Sequence, residues 1–137
     1  MAQCKTAGLE GLENLFENLA ALPVQVVNDM LFAEADVIIP AQKAKMRVRW
    51  SGKYATGKTA ESLTKGKIRQ KNYDRRLSLE FRGSHHGTPN TEIAFVNEYG
   101  KTNQPARSAI REANEESADR AVEAAADVLD RWIDKHV

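Results

Sequence analysis

The spacing of hydrophobic positions changes period along the chain, and each change marks an element. Leu9, Leu12, Leu15, Phe16, Leu19 and Leu22 recur at steps of three and four, so an amphipathic helix is expected from about Gly8 to Ala21, behind a loose N-terminus over residues 1–8. Pro23 suits the first turn of a continuation, where its missing N–H costs nothing. Val26, Val27, Met30, Leu31, Ala35 and Ile38 carry the stripe onward, and residues 9–46 read as helical. Pro40 would clash with the carbonyl four residues back, which predicts a kink or break near Ile38. Residues 51–63 follow as a turn and a short helix, with Thr56 as the expected cap of a segment from Gly57 to Leu63.

The period then falls to two. Lys67 to Tyr73 and Arg75 to Arg82 read as strands joined by a turn over Asn72 to Arg75, the second with Leu77, Leu79 and Phe81 inward against Ser78, Glu80 and Arg82 outward. Gly83 to Asn90 is rich in loop formers. Beyond it Ile93, Phe95, Asn97 and Tyr99 alternate with Ala94, Val96 and Glu98, the pattern of a strand covered on both faces. An antiparallel meander of about three strands is therefore expected over residues 67–99. Gly100 ends it, Lys101 to Gln104 supply turn chemistry, and Pro105 sets φ where a helix begins. Glu98 and Arg107 are expected to pair across this turn. Ile110, Ala113, Ser117, Ala121, Ala125, Val128 and Trp132 then share a stripe of a long helix over residues 106–135, which its alanines favour. The expected fold is a single α+β domain: a long N-terminal helical segment, a small antiparallel sheet, and a long C-terminal helix packed on the sheet.

Composition adds bounds. A chain of 137 residues, 42% hydrophobic and 28% charged, has the balance of an ordinary globular domain. No apolar run approaches the roughly 18 to 20 residues that span a bilayer, so no membrane partner is expected. Acidic residues near the N-terminus stand where a secretory signal would be basic, which reads as cytosolic at synthesis. Cys4 is the single cysteine and supports neither an internal disulfide nor a cysteine-rich metal site.

The net charge of +1 conceals a strong segregation. Residues 1–40 hold one basic and six acidic side chains, residues 41–82 thirteen and three, and residues 83–137 six and ten. Lys43, Lys45, Arg47, Arg49, Lys53, Lys65, Lys67, Arg69, Lys71, Arg75 and Arg76 make up most of the basic middle, with Trp50, Tyr54 and Tyr73 interleaved as stacking candidates. Such a segment suits a path for DNA or the acidic helices of adjacent subunits, and the composition leaves both open. A small DNA-binding protein using residues 43–76 is accordingly the alternative reading.

Catalytic chemistry finds little support. Gly52 to Thr59 satisfies the spacing of a phosphate-binding P-loop, yet MRVRW is a poor buried strand and no later apolar strand ends in an Asp suited to magnesium. His85 and His86 are adjacent and lack companion ligands, which reads as a solvated loop. Glu112, Glu115, Glu116 and Asp119 have the spacing of an ordinary solvated helix start, with Arg131 and Lys135 placed to suit the other end of the dipole. No nucleophile motif is present. Neither catalytic residues, nor a metal, nor a cofactor is expected.

Read as a unit, VNEYGKTNQPARSAIREA resembles the C-terminal signature of the HK97 gp10-like family of tailed-phage proteins, a strand ending in Val-Glu-aromatic-Gly followed by a Pro-Ala-Arg-Pro-Phe helix start. Val96, Glu98, Tyr99, Gly100, Pro105, Ala106, Arg107, Ala109 and Ala113 carry the match. Thr56 to Leu63 is similar to the family's mid-chain Thr-Gly-x-Leu-x-x-Ser-Ile turn. Asn97 is an extra residue, Lys101 stands for Thr, Ser108 and Ala109 replace Pro-Phe, and Thr59 replaces Leu. The resemblance implies a non-enzymatic virion protein of the neck or tail end that joins head to tail. It also implies self-association into a ring, a hexamer or related cyclic state, beside neighbouring neck and tail proteins, with assembly in the host cytoplasm. On that reading Glu98, Tyr99, Gly100, Pro105 and Arg107 form a structural turn. Lys43, Lys45, Arg47, Arg49, Lys65, Lys67, Arg69 and Lys71 then face luminal DNA or the next subunit.

Overall fold

In the computed structural model, residues 22–51, 57–72 and 74–136 are described. The helix expected before Ala21, the Thr56 cap and the side chains of Lys53, Tyr54 and Tyr73 fall outside them. The elements in order are α1 (Val24–Arg49), α2 (Lys58–Glu61), β1 (Leu63–Lys71), β2 (Asp74–Phe81), β3 (Ser84–His85), β4 (Thr88–Pro89), α3 (Asn90–Tyr99) and α4 (Ala109–His136). The class is α+β, as the periodicity implied.

Pro23 is extended (φ −60°, ψ 142°) and immediately precedes α1, its carbonyl accepting from the Val26 N–H at 3.0 Å. Of the kink or break expected near Ile38, the break does not occur: the helix runs unbroken through Pro40. Pro40 and Asp36, whose carbonyl loses its usual donor, are both exposed. Water can take that donor's place, which removes most of the penalty.

Helix α4 lies antiparallel along α1. Its buried stripe, Ala109, Ala113, Ser117, Ala121 and Ala125, repeats every four residues and holds nothing larger than a serine, so the two backbones approach closely. The Ser117 hydroxyl satisfies itself on the Ala113 carbonyl at 2.6 Å. Polar ties set the register at one end: Gln42 donates to Asn114 at 2.7 Å, Lys45 to Glu116 at 2.9 Å, and Arg49 grips Glu112 with two bonds of 2.9 and 2.8 Å. At the other end Val26, Asp29, Val128 and Trp132 line a shallow groove between the helices.

Strands β1 and β2 form an antiparallel hairpin whose register runs from Leu63 opposite Phe81 to Lys71 opposite Asp74. Asn72 opens its two-residue turn with φ 57°, the left-handed region that Asn tolerates. A bulge between Lys65 and Ile68 interrupts the pairing. Along β2 half-buried and exposed residues alternate, with Leu77, Leu79 and Phe81 inward as expected. A lone hairpin is marginal in water, and here its inner face leans on α1. Arg75 reaches Asn28 at 3.1 Å, while Lys65 pairs with Asp36 and sits 5.4 Å above the Phe32 ring.

The expected third strand does not form. Gly83 to Asn90 folds instead as a miniature hairpin, β3 against β4, turning on His86 (φ 51°) and Gly87 (φ 82°). Residues 90–99 are helix α3. The side chains buried from α3 are Asn90, Ala94 and Glu98, one every four residues. Asn90 donates to the Arg82 carbonyl at 2.8 Å and accepts from the Thr59 hydroxyl at 3.1 Å. A strand would place these three on one face together with Glu92, which is exposed here; a burial step of four that turns Glu92 outward is the helical period.

The core gathers where α1 ends. Met46, Trp50, Ala60, Leu63, Ala94 and Ala109 are buried together, with Ile39, Leu79, Phe81 and Ile110 packed against them. The long C-terminal helix therefore reaches the sheet at its first turn, and its remaining length packs on α1.

Candidate functional site

The segment from Glu98 to Arg107 is a structural corner, and its geometry differs from the expected ion pair. Glu98 is buried on α3, and its carboxylate accepts the backbone N–H groups of Ile110 at 2.8 Å and Arg111 at 3.0 Å. It thus caps α4 from a different helix, supplying an anion where the dipole is positive. Arg107 contributes through its backbone: its carbonyl accepts from the Trp50 indole N–H at 2.7 Å, and its N–H donates to the Asn97 carbonyl at 2.8 Å. Among the described residues, its guanidinium reaches the Ser51 carbonyl, at 3.5 Å.

Gly100 closes α3 with φ 79°, its N–H donating to Val96 at 2.7 Å. A Cβ there would lie 2.7 Å from both the Ala106 nitrogen and the Gln104 oxygen, so the returning backbone passes where a side chain would stand. Lys101 and Gln104 exchange two backbone bonds of 2.8 and 3.0 Å, and Gln104 also donates to the Asn97 side chain at 3.0 Å. Asn97, the extra residue against the family pattern, therefore anchors the loop twice. Pro105 is exposed. Tyr99 is 69% exposed and packs its ring 4.9 Å from that of Phe95, itself 62% exposed.

The basic residues separate into two sets. Lys45 and Arg49 bind Glu112 and Glu116 of α4, and Lys65 binds Asp36, so these three serve the internal packing. Lys43 is half-buried beside Asp36 and Leu63, and Arg47 is exposed on the last turn of α1. Lys67, Arg69 and Lys71 are all exposed on β1. Arg69 stands directly opposite Arg76, which is 79% exposed and bonds Asp74 at 2.6 Å. Trp50, one of the three stacking candidates, is buried 6.4 Å from Phe81 and has its N–H occupied. Among the described residues, the exposed basic side chains thus gather on the outer face of the hairpin, with Arg47 exposed on α1.

The Gly-Lys-Thr stretch follows helix α1 rather than a strand, and Lys58 opens a helix of one turn. His85 and His86 lie with ring centres 4.1 Å apart, tilted 55° to each other. The His85 imidazole is held below its ordinary value of 6.5, first by desolvation and then by the positive neighbours His86 and Lys58. Among the described residues, no three His, Cys, Asp or Glu side chains gather to hold a metal ion. No helix among them is long and apolar enough to cross a membrane.

Buried polar anchors were invisible to hydrophobic patterning: Gln42, Asn90 and Glu98 each occupy an inward position through hydrogen bonds alone. The one available signal was spacing, since Asn90 and Glu98 bracket Ala94 at four-residue steps. No protein-family model matches the chain, and no curated protein or solved structure matches it.

Proposed function

We propose that this protein is a non-enzymatic structural component of a tailed-phage virion, a minor neck or tail-completion protein at the head–tail junction that assembles into a ring. The carrying observation is the hairpin's outer face, where Arg69 and Arg76 stand opposite each other between Lys67 and Lys71. Like charges paired across strands cost the isolated chain stability, and a contact that supplies negative charge recovers it. The corner at Gly100 supports the same reading, because a strand-free, hydrogen-bonded bend between α3 and α4 holds the two helices at one angle, as a building block requires. The sequence signature on that corner supplies the phage setting.

Mass spectrometry of purified virions, with electron microscopy of particles made in its absence, tests this function. The chain is expected among the minor virion proteins, and its loss is expected to leave heads and tails unjoined. Absence from virions together with normal joining would overturn the proposal.

A further inference from the structure

Two exposed surfaces of this chain carry opposite charge and repel themselves. On the hairpin, Lys67, Arg69 and Lys71 occupy alternate, exposed positions of β1, and Arg69 faces Arg76 across the register. On α4, Glu115, Asp119, Glu123 and Asp127 follow each other every four residues and are all exposed, a run of four carboxylates bounded at the same step by Arg111 and Arg131. Like charges at that helical spacing are unfavourable, as are like charges directly across a sheet. Among the described residues, none of these carboxylates and none of Lys67, Arg69 and Lys71 forms an ion pair, and Arg76 pairs with Asp74.

The two cannot meet within one molecule. The hairpin's inner face and the small-residue stripe of α4 both pack on α1, so the outer faces of both elements point away from it. Their spacings nevertheless agree. Alternate strand residues are about 6.6 Å apart, and residues four apart on a helix about 6 Å. Three cations of β1 can therefore follow three successive carboxylates of a helix laid along them.

We infer that the outer face of the β1–β2 hairpin docks on the Glu115–Asp119–Glu123–Asp127 row of α4 in a second copy of this chain. The contact is heterologous, one patch meeting a different one, so it propagates head to tail and closes into a ring where the rotation permits. It deepens the assembly reading above and rests on that reading only for its phage setting. A second copy is favoured over nucleic acid because the same chain carries carboxylates at the spacing that the hairpin's cations require.

Charge reversal tests it, using analytical ultracentrifugation of the full chain at low ionic strength, where charged contacts are least screened. Wild type is expected to self-associate and to dissociate as salt is added. Arg69→Glu with Arg76→Glu, and separately Asp119→Lys with Glu123→Lys, are each expected to weaken association roughly tenfold or more. An equimolar mixture of the two variants is expected to associate again, since each supplies the face the other has reversed. If a reversed variant fails to fold by circular dichroism, Arg69→Gln with Arg76→Gln and Asp119→Asn with Glu123→Asn replace them, with weakening expected for each alone and association limited to heterodimers on mixing, through the one wild-type contact the pair retains. A wild type that stays monomeric at its highest soluble concentration overturns the inference, as does association indifferent to both reversals. Monomers whose hairpin binds duplex DNA in a salt-dependent manner would also overturn it and assign the face to nucleic acid. Rescue on mixing with a protein absent from virions would keep this interface and remove the phage setting. Presence in virions with indifference to reversal would do the opposite.

Discussion

Glu98 and Ile110 are joined across the corner by a 2.8 Å bond from the Ile110 N–H to the Glu98 carboxylate, so α3 caps α4. With the second bond from Arg111 at 3.0 Å, one buried side chain serves two amides that the helix itself leaves without acceptors. Glu98→Ala removes both and is expected to cost about 2 kcal/mol, the upper range for loss of a cap, measured by urea unfolding. Arg107→Ala, which keeps the backbone bonds to Trp50 and Asn97, is expected to cost within about 0.5 kcal/mol. The opposite ranking would restore the ion pair in place of the cap.

Trp50→Phe separates ring packing from the indole hydrogen bond. The ring site beside Phe81 stays filled, while the Arg107 carbonyl loses its 2.7 Å donor. A loss of about 1 to 2 kcal/mol is expected in the same measurement, against roughly 3 to 5 kcal/mol for Trp50→Ala, which also opens a cavity.

Gly100→Ala is expected to destabilise the fold by about 2 kcal/mol or more. The positive φ strains any residue with a Cβ, and the neighbouring atoms at 2.7 Å are backbone, which cannot swing aside. Thermal melts that matched the unaltered protein would show that the corner relaxes.

Ala113→Leu would enlarge a residue only 1% exposed in the tight α1–α4 contact. A loss of about 1 to 3 kcal/mol is expected from overpacking. An unchanged unfolding midpoint would mean that the helices can separate without penalty.

Stability is expected to fall as pH drops through 6.5, the ordinary value of the His85 imidazole. Its folded-state value lies lower, so the unfolded chain binds the proton more readily and acid favours unfolding. The contribution is complete above 6.5 and is lost as pH falls through the depressed folded-state value. His85→Asn is expected to flatten that part of the profile in melts recorded between neutral and mildly acidic pH. A profile unchanged by the substitution would assign the slope to other groups.

Much of this fold could be read from the order of side chains. The alternation of Leu77, Leu79 and Phe81, the four-residue run from Ala113 to Ala125, and the helix that begins after Pro23 are local regularities legible in the chain itself. The concentration of cations in residues 41–82 was equally plain in composition. Residues 90–99 were different, because their apolar side chains fit a strand and a helix alike. The inward positions belong to Asn90, Ala94 and Glu98, and two of these are polar groups whose burial is favourable only beside the Arg82 carbonyl, the Thr59 hydroxyl and the first amides of α4. Those partners lie elsewhere in the chain, so tertiary structure made the choice. It likewise let Pro40 stay in a helix by exposing it, and it divided the cations. Lys45, Arg49 and Lys65 were drawn into ion pairs by what α1 packs against, while Lys67, Arg69 and Lys71 were left on an outer face because period two turned them away from it.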